Sequence, residues 1–92
     1  MTFEWDEEKA IFNLKKHGIS FEEAKSLFND PILLTFADEE HSNTEQRFIS
    51  IGLSSKGNVL VLIHTERRSN LRIISCRKAT KKERSIYEKR AL

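Results

Sequence analysis

Asn58-Val59-Leu60-Val61-Leu62-Ile63-His64-Thr65-Glu66-Arg67-Arg68-Ser69-Asn70-Leu71-Arg72-Ile73-Ile74-Ser75-Cys76-Arg77 holds two apolar runs joined by a polar turn, and its reading decides the fold. The first run, Asn58 to His64, has no polar interruption before its end, the pattern of a central strand covered on both faces. Arg67-Arg68-Ser69-Asn70 is long enough only for a tight turn, so Leu71 to Arg77 is expected to return as an antiparallel neighbour. Upstream, Arg47-Phe48-Ile49-Ser50-Ile51-Gly52-Leu53 alternates in part and reaches Asn58 through the turn Ser54-Ser55-Lys56-Gly57-Asn58. A short apolar strand, Ile32 to Phe36, precedes it, with a polar connection from Asp38 to Thr44 between the two.

Helical signals flank this strand-rich centre. Asp6 is placed to cap a helix that runs to His17, with Glu7 and Glu8 in its first turn, Lys15 and Lys16 in its last, and Gly18 as terminator. Ser20-Phe21-Glu22-Glu23 reads as a capping box opening a second helix, with Ile19 as a staple onto Ala24. Phe21, Ala24, Leu27 and Phe28 form its buried face, and Asn29-Asp30-Pro31 ends it. A second capping box, Thr80-Lys81-Lys82-Glu83, opens a last helix that reaches about Arg90 with Ile86 and Tyr87 inward. The order α-α-β-β-β-β-α predicts an α+β domain, two N-terminal helices and a C-terminal helix on an antiparallel sheet of about four strands.

With 92 residues, the chain is read as one domain spanning 1–92, able to bury about 60 to 70% of its unfolded surface. Its net charge of +2 conceals a segregation. Residues 1–45 carry 4 basic and 11 acidic side chains, a net of −7, and residues 46–92 carry 12 and 3, a net of +9. Such polarity fits either a phosphate-attracting surface or a domain that neutralises itself by packing acidic helices on a basic sheet. No apolar run approaches the roughly 18 residues of a membrane span, and the acidic N-terminus is unlike a signal peptide, so a cytoplasmic location without membrane contact is expected. Cys76 has no partner for a disulfide, the three His and one Cys lack zinc spacing, and the three Gly build no phosphate loop. No metal or other cofactor is expected.

Chemistry is concentrated in the basic half. Arg67, Arg72, Arg77, Lys78, Lys81, Lys82 and Arg84 come from strand ends, a strand interior and a helix start that can converge. Strict alternation sets Arg72 on the face of Ile74 and Cys76, and Arg77 on the face of Ile73 and Ser75, so the two diverge unless the strand bends. Arg72 needs a carboxylate, a phosphate or an open face, and Glu66 is the expected carboxylate. RNA brings its own nucleophile, the 2′-hydroxyl, so a metal-free ribonuclease needs a proton acceptor, cations for the phosphate and a proton source for the leaving 5′-oxygen. His64, Glu66, Arg67, Arg72, Arg77 and Tyr87 are suitable types, and His17 and His41 are also acid-base capable. On the first helix Asp6, Lys9, Asn13, Lys16 and His17 share a polar stripe that is either solvated or part of a site. Ser75 lacks the surroundings of a hydrolase nucleophile, and Cys76 reads as a core residue with an inert thiol.

Ordered blocks over nearly the whole chain carry a resemblance. Phe3-x-Trp5-Asp6-x-x-Lys9-x-x-x-Asn13-x-x-Lys16-His17-Gly18, Phe21-x-x-Ala24, Asp30-Pro31, Glu45-x-Arg47, Ile51-Gly52, Thr65-Glu66-Arg67, Arg72-Ile73-Ile74-Ser75-x-Arg77-x-Ala79 and Glu83-Arg84-x-x-Tyr87 resemble the BrnT family of toxins. The resemblance implies a RelE-like fold and a type II toxin that cleaves RNA, arrests translation and is neutralised by a BrnA-type antitoxin. That antitoxin would carry a ribbon-helix-helix region, so DNA would be contacted only through it. The family's active-site positions match Glu66, Arg67, Arg72 and Arg77, with Lys9, Lys16 and His17 as contributors. His64 stands where an aromatic or apolar residue is expected, which would add an acid-base group, and Cys76 stands where Ala is common.

The expected catalytic set is therefore Glu66, Arg67, Arg72, Arg77 and His64, with Lys9, Lys16, His17, Lys78, Lys81 and Lys82 along the RNA backbone. A non-catalytic nucleic-acid-binding or regulatory module is the alternative, and a pure protein-interaction domain a third.

Overall fold

The apolar run read as a central strand is central. In the computed structural model, which describes residues 2–90, Val59–Arg67 is the third of five strands. The strands are β1 (Thr2–Glu4), β2 (Leu34–Ala37), β3 (Arg47–Leu53), β4 (Val59–Arg67) and β5 (Asn70–Lys78), in the spatial order β1-β5-β4-β3-β2. The helices are α1 (Glu7–His17), α2 (Phe21–Lys25), which tightens into a 3₁₀ turn over Ser26–Asn29, and α3 (Lys81–Arg90). The α+β class and the four antiparallel strands agree with the sequence reading, but the sheet has a fifth strand. β1 pairs in parallel with β5, Phe3 opposite Leu71. Three residues are too few for a periodicity to register, and their pairing is decided by a partner almost seventy positions away.

The caps follow the local code. Asp6 accepts the Glu8 N–H, and Gly18 closes α1 in the left-handed conformation at φ 71°, which glycine adopts without a Cβ penalty. At α3 the capping box is complete: Thr80 Oγ1 accepts from the Glu83 N–H, and Glu83 Oε1 accepts from the Thr80 N–H. At α2 only half of it forms. Ser20 Oγ accepts from Glu23 N–H, but the buried Glu23 carboxylate turns inward to accept from Ser54 Oγ and Asn58 Nδ2, so it anchors the β3–β4 turn instead.

Two clusters of apolar side chains lie on opposite faces of the sheet. Ile19, Phe21, Ala24 and Leu27 pack with Leu60, Leu62, Leu71, Ile73 and Cys76, each Leu contributing about 2 kcal/mol by burial. Trp5 packs against this core, edge-on to Phe21, and Cys76 is buried there with its thiol pushed up to about 12 by desolvation. On the other face α3 sits over a smaller cluster, Ile51, Val61, Ala79 and Tyr87. The helices therefore occupy both faces rather than one layer. Tyr87 is the inner residue of α3, whereas Ile86, expected inward, is exposed. The Tyr87 hydroxyl donates to Asp30 Oδ2 at 2.5 Å, and Asp30 also accepts from Leu53 N–H and Ile32 N–H. Burial pushes the Asp30 carboxyl up, but these hydrogen bonds outweigh it and hold the acid below its usual range. Burial and the same bond push the Tyr87 phenol to about 12.

α1 departs furthest from the sequence reading. Asn13, placed on a polar stripe, is buried, while Ile11, Phe12 and Leu14 are exposed. β1 covers the edge of β5 only from Asn70 to Arg72, and farther along Asn13 takes its place. Its Nδ2 donates to the carbonyls of Cys76 (2.8 Å) and Ile19 (3.0 Å), and its Oδ1 accepts the Cys76 N–H (3.0 Å). One side-chain amide thus satisfies strand-edge groups that would be costly to bury unpaired.

Candidate active site

α3 covers one end of its face and leaves the other end open. What stands on that open end is set by an irregularity in β5. Ile63 pairs with Ser75, but His64 pairs with Ile73, leaving Ile74 as an extra residue without a partner. Residues directly opposite in register share a face, and Val61, Ile63 and Thr65 alternate on one face of β4. Their partners Arg77, Ser75 and Arg72 therefore also share it. Strict alternation sends Arg72 and Arg77 apart; the bulge at Ile74 brings them to the same side. Arg47, opposite Thr65, and Arg67, two residues further along β4, complete a group of four arginines on this face.

Carboxylates from three parts of the chain pair with three of these four cations. Glu45 takes Arg67 through two bonds of 2.8 Å, and the guanidinium keeps the Glu45 carboxyl below its usual range. Glu83 takes Arg77 through bonds of 2.7 and 2.9 Å and is itself lowered to about 2 by that contact. Glu4 approaches Arg72 at 3.8 Å. For Arg47 no carboxylate lies within ion-pair distance among the described residues. Arg72 thus pairs with Glu4, not with the expected Glu66. Glu66 neighbours Arg67 in sequence and so faces the opposite side, opposite Leu71 in register. The two cross-sequence pairs also show where the acidic half meets the basic half: on β1 and the β2–β3 connection, not on the leading helices.

Next to Arg77 lies an open depression of about 390 Å³, floored by Ile49, Ile63, Ile74 and Ser75. Arg47 and Arg77 line it together with Asp38, Glu40 and His41 of the β2–β3 connection. A second depression, of about 230 Å³, is formed by Lys9, Phe12, Asn13, Lys16 and His17 of α1 and shares Ile74 and Ser75 with the first. The bulge thus joins the α1 residues Lys9, Lys16 and His17 to the arginine face. Lys78, Lys81 and Lys82 lie elsewhere, exposed around the start of α3 beyond Arg77.

His64 does not join this surface. It lies on the face covered by α1 and α2, 2% exposed, between Phe28 and Phe48 with ring centroids 5.4 and 5.7 Å away, and Nε2 bonds Ser50 Oγ at 2.8 Å. Burial lowers its pKa to about 4. Its surroundings are those of the aromatic or apolar residue expected at this position. Tyr87 is likewise committed to Asp30. Arg47 and His41, absent from the expected set, line the first depression. The alternation of Arg47 with Ile49 and Ile51, and the i,i+3 spacing of Asp38 and His41, are the sequence signals that could have found them. Among the described residues no group of three or more His, Cys, Asp or Glu is disposed to hold a metal ion, and no helix is long and apolar enough to cross a membrane.

Against known proteins, residues 5–83 match the family model described as the ribonuclease toxin, BrnT, of type II toxin-antitoxin systems. The chain belongs to the BrnT family. It is also similar to the crystal structure of the Brucella abortus ribonuclease toxin BrnT, with a TM-score of 0.68 and 25% identity, over 88% of this chain and 99% of that one. No curated protein matches the sequence. Membership in the BrnT family makes this a ribonuclease toxin of a type II toxin-antitoxin system, with RNA as substrate and an antitoxin as partner. The matched span runs through Arg47, Arg67, Arg72 and Arg77, so the open sheet face lies within the family's shared region.

Proposed function

We propose that the chain cleaves RNA endonucleolytically, without a metal ion, on the open face that carries the four arginines. The observation that carries this reading is the common projection of Arg72 and Arg77 produced by the bulge at Ile74. A phosphate reached by guanidiniums from β3 and β5 is held on two sides, and their forked donors suit paired phosphoryl oxygens. Charge builds on those oxygens as the 2′-hydroxyl attacks, so donors fixed in advance stabilise the transition state more than the ground state. Glu45 and Glu83 keep Arg67 and Arg77 extended before RNA arrives, while each guanidinium retains further N–H groups to donate.

Lys9, Lys16 and His17 extend the surface along α1, and Lys78, Lys81 and Lys82 extend it at the start of α3; these guide the backbone with little base selection. Because His64 is buried and Glu66 faces away from the arginines, neither has a role in this reading. In the cell the activity would arrest translation in the cytoplasm. A BrnA-type antitoxin with a ribbon-helix-helix region would restrain it and carry the only contact with DNA.

The test is cleavage of a defined RNA, with and without ribosomes, in EDTA. Cleavage that is lost in Arg72→Ala, with the fold retained, supports the reading. Salt-sensitive RNA binding that yields no product under either condition would replace it with a non-catalytic nucleic-acid-binding module.

A further inference from the structure

We propose that His41 is the general base of the cleavage reaction and that Asp38 positions it, an inference that rests on the ribonuclease reading above. His41 Nδ1 lies 3.0 Å from Asp38 Oδ2 and 3.2 Å from Oδ1. The Asp38 side chain is 11% exposed and the imidazole 61%, so a sheltered carboxylate holds a ring that faces outward. An ionised carboxylate only accepts hydrogen bonds. With the carboxylate accepting, Nδ1 is the donor, and in the neutral ring Nε2 then presents a lone pair, the form a general base requires.

The connection that carries this pair is fixed to the sheet. Asp38 N–H donates to the Arg47 carbonyl at 2.7 Å, Ser42 Oγ donates to the Asp38 carbonyl, and the Arg47 N–H donates to Ser42 Oγ at 2.9 Å. Asp38 and His41 are thereby tied to the first residue of β3, whose side chain lines the same depression. Asp38, Glu40, Arg47 and Arg77 are the charged groups that face His41 there. The depression thus places a base beside two cations, over an apolar floor of Ile49 and Ile63 on which a ribose or base can rest.

In the reaction, His41 Nε2 takes the 2′-hydroxyl proton as the 2′-oxygen bonds to phosphorus. The bond from phosphorus to the 5′-oxygen breaks, and its electron pair leaves with that oxygen. The proton returns from the imidazolium through water to the 5′-oxygen, giving a 2′,3′-cyclic phosphate, a 5′-hydroxyl and neutral His41. Arg47 and Arg77 share the charge on the non-bridging oxygens.

Single-turnover cleavage of a defined RNA by the full chain tests this, in wild type, His41→Ala, His41→Gln, Asp38→Asn and Arg77→Ala, each checked for thermal stability. His41→Ala and His41→Gln are expected to lose about 10²- to 10⁴-fold in rate. Added imidazole restores part of the activity of His41→Ala, which a merely structural histidine would not allow. Asp38→Asn moves the acidic limb of the pH–rate profile, and the products carry 2′,3′-cyclic ends. Cleavage by both folded His41 variants within about threefold of wild type, with Arg77→Ala inactive, overturns the assignment of His41 and leaves the ribonuclease reading standing. Wild type that leaves RNA intact with and without ribosomes overturns both.

Discussion

Arg72 and Arg77 are five positions apart in one strand, an odd spacing that alternation sends to opposite faces, yet both pair with residues on the same face of β4. The extra residue between them, Ile74, absorbs the difference. A bulge costs one unpaired residue in the ladder and here returns a cation pair on a surface that α3 leaves open.

Substitution of either arginine should separate chemistry from folding. Arg72→Ala and Arg77→Ala are expected to lower cleavage by about 10²- to 10³-fold, the cost of removing one fixed donor to a developing oxyanion. Arg77→Ala also frees Glu83 at the start of α3, a partly exposed pair worth at most about 1 kcal/mol. Arg77→Lys keeps the charge but not the fork and should recover little activity. Single-turnover rates measured beside thermal melts check all three.

Binding of a 2′-deoxy-substituted oligonucleotide, which lacks the nucleophile, should weaken steeply with salt. The slope of log affinity against log salt is expected near −3 to −4 for about five phosphate contacts on a single strand, and each of Lys9→Ala and Lys81→Ala should reduce it by about 0.7. Fluorescence anisotropy over a salt series reads this directly. An unchanged slope in Lys9→Ala would remove α1 from the RNA path.

Asn13→Leu should destabilise the fold by about 2–4 kcal/mol, because the Cys76 N–H and carbonyl then remain buried without partners. Asn13→Asp should be no better, since a carboxylate cannot donate to the carbonyls of Cys76 and Ile19. Urea denaturation gives the numbers. A polar residue on a solvated stripe would show neither loss.

The buried His64 makes stability depend on pH. Its folded pKa, about 4, lies below its ordinary value of 6.5, so between these limits the unfolded chain binds a proton that the folded chain does not. Stability contributed by neutral His64 is complete above about pH 6.5 and is lost as pH falls towards 4, by up to about 3 kcal/mol. His64→Phe keeps the aromatic contacts with Phe28 and Phe48, removes the buried Nδ1 that has no partner among the described residues, and should flatten this part of the curve while cleavage persists. Chemical denaturation of both proteins from pH 4 to 7 tests it.

The sequence by itself determined the elements that rest on local codes. Asp6 and Gly18 bound α1, Ser20 opens α2, Thr80 and Glu83 box the start of α3, and the run from Asn58 to His64 becomes the middle strand, because caps, turns and apolar period act within a few residues. The blocks shared with the BrnT family likewise pointed to the function from sequence alone. What only the tertiary structure decided are the relationships between distant residues. β1 forms because β5 offers it an edge, and Asn13 turns inward because the remainder of that edge needs an amide. His64 is set apart from the arginine face by its place between Phe28 and Phe48, and Glu66 by its place on the far face from Arg72. Asp38 and His41 reach the arginines only when the β2–β3 connection is tied to Arg47. Strand register is a long-range property, and a single bulge reverses every face assignment beyond it.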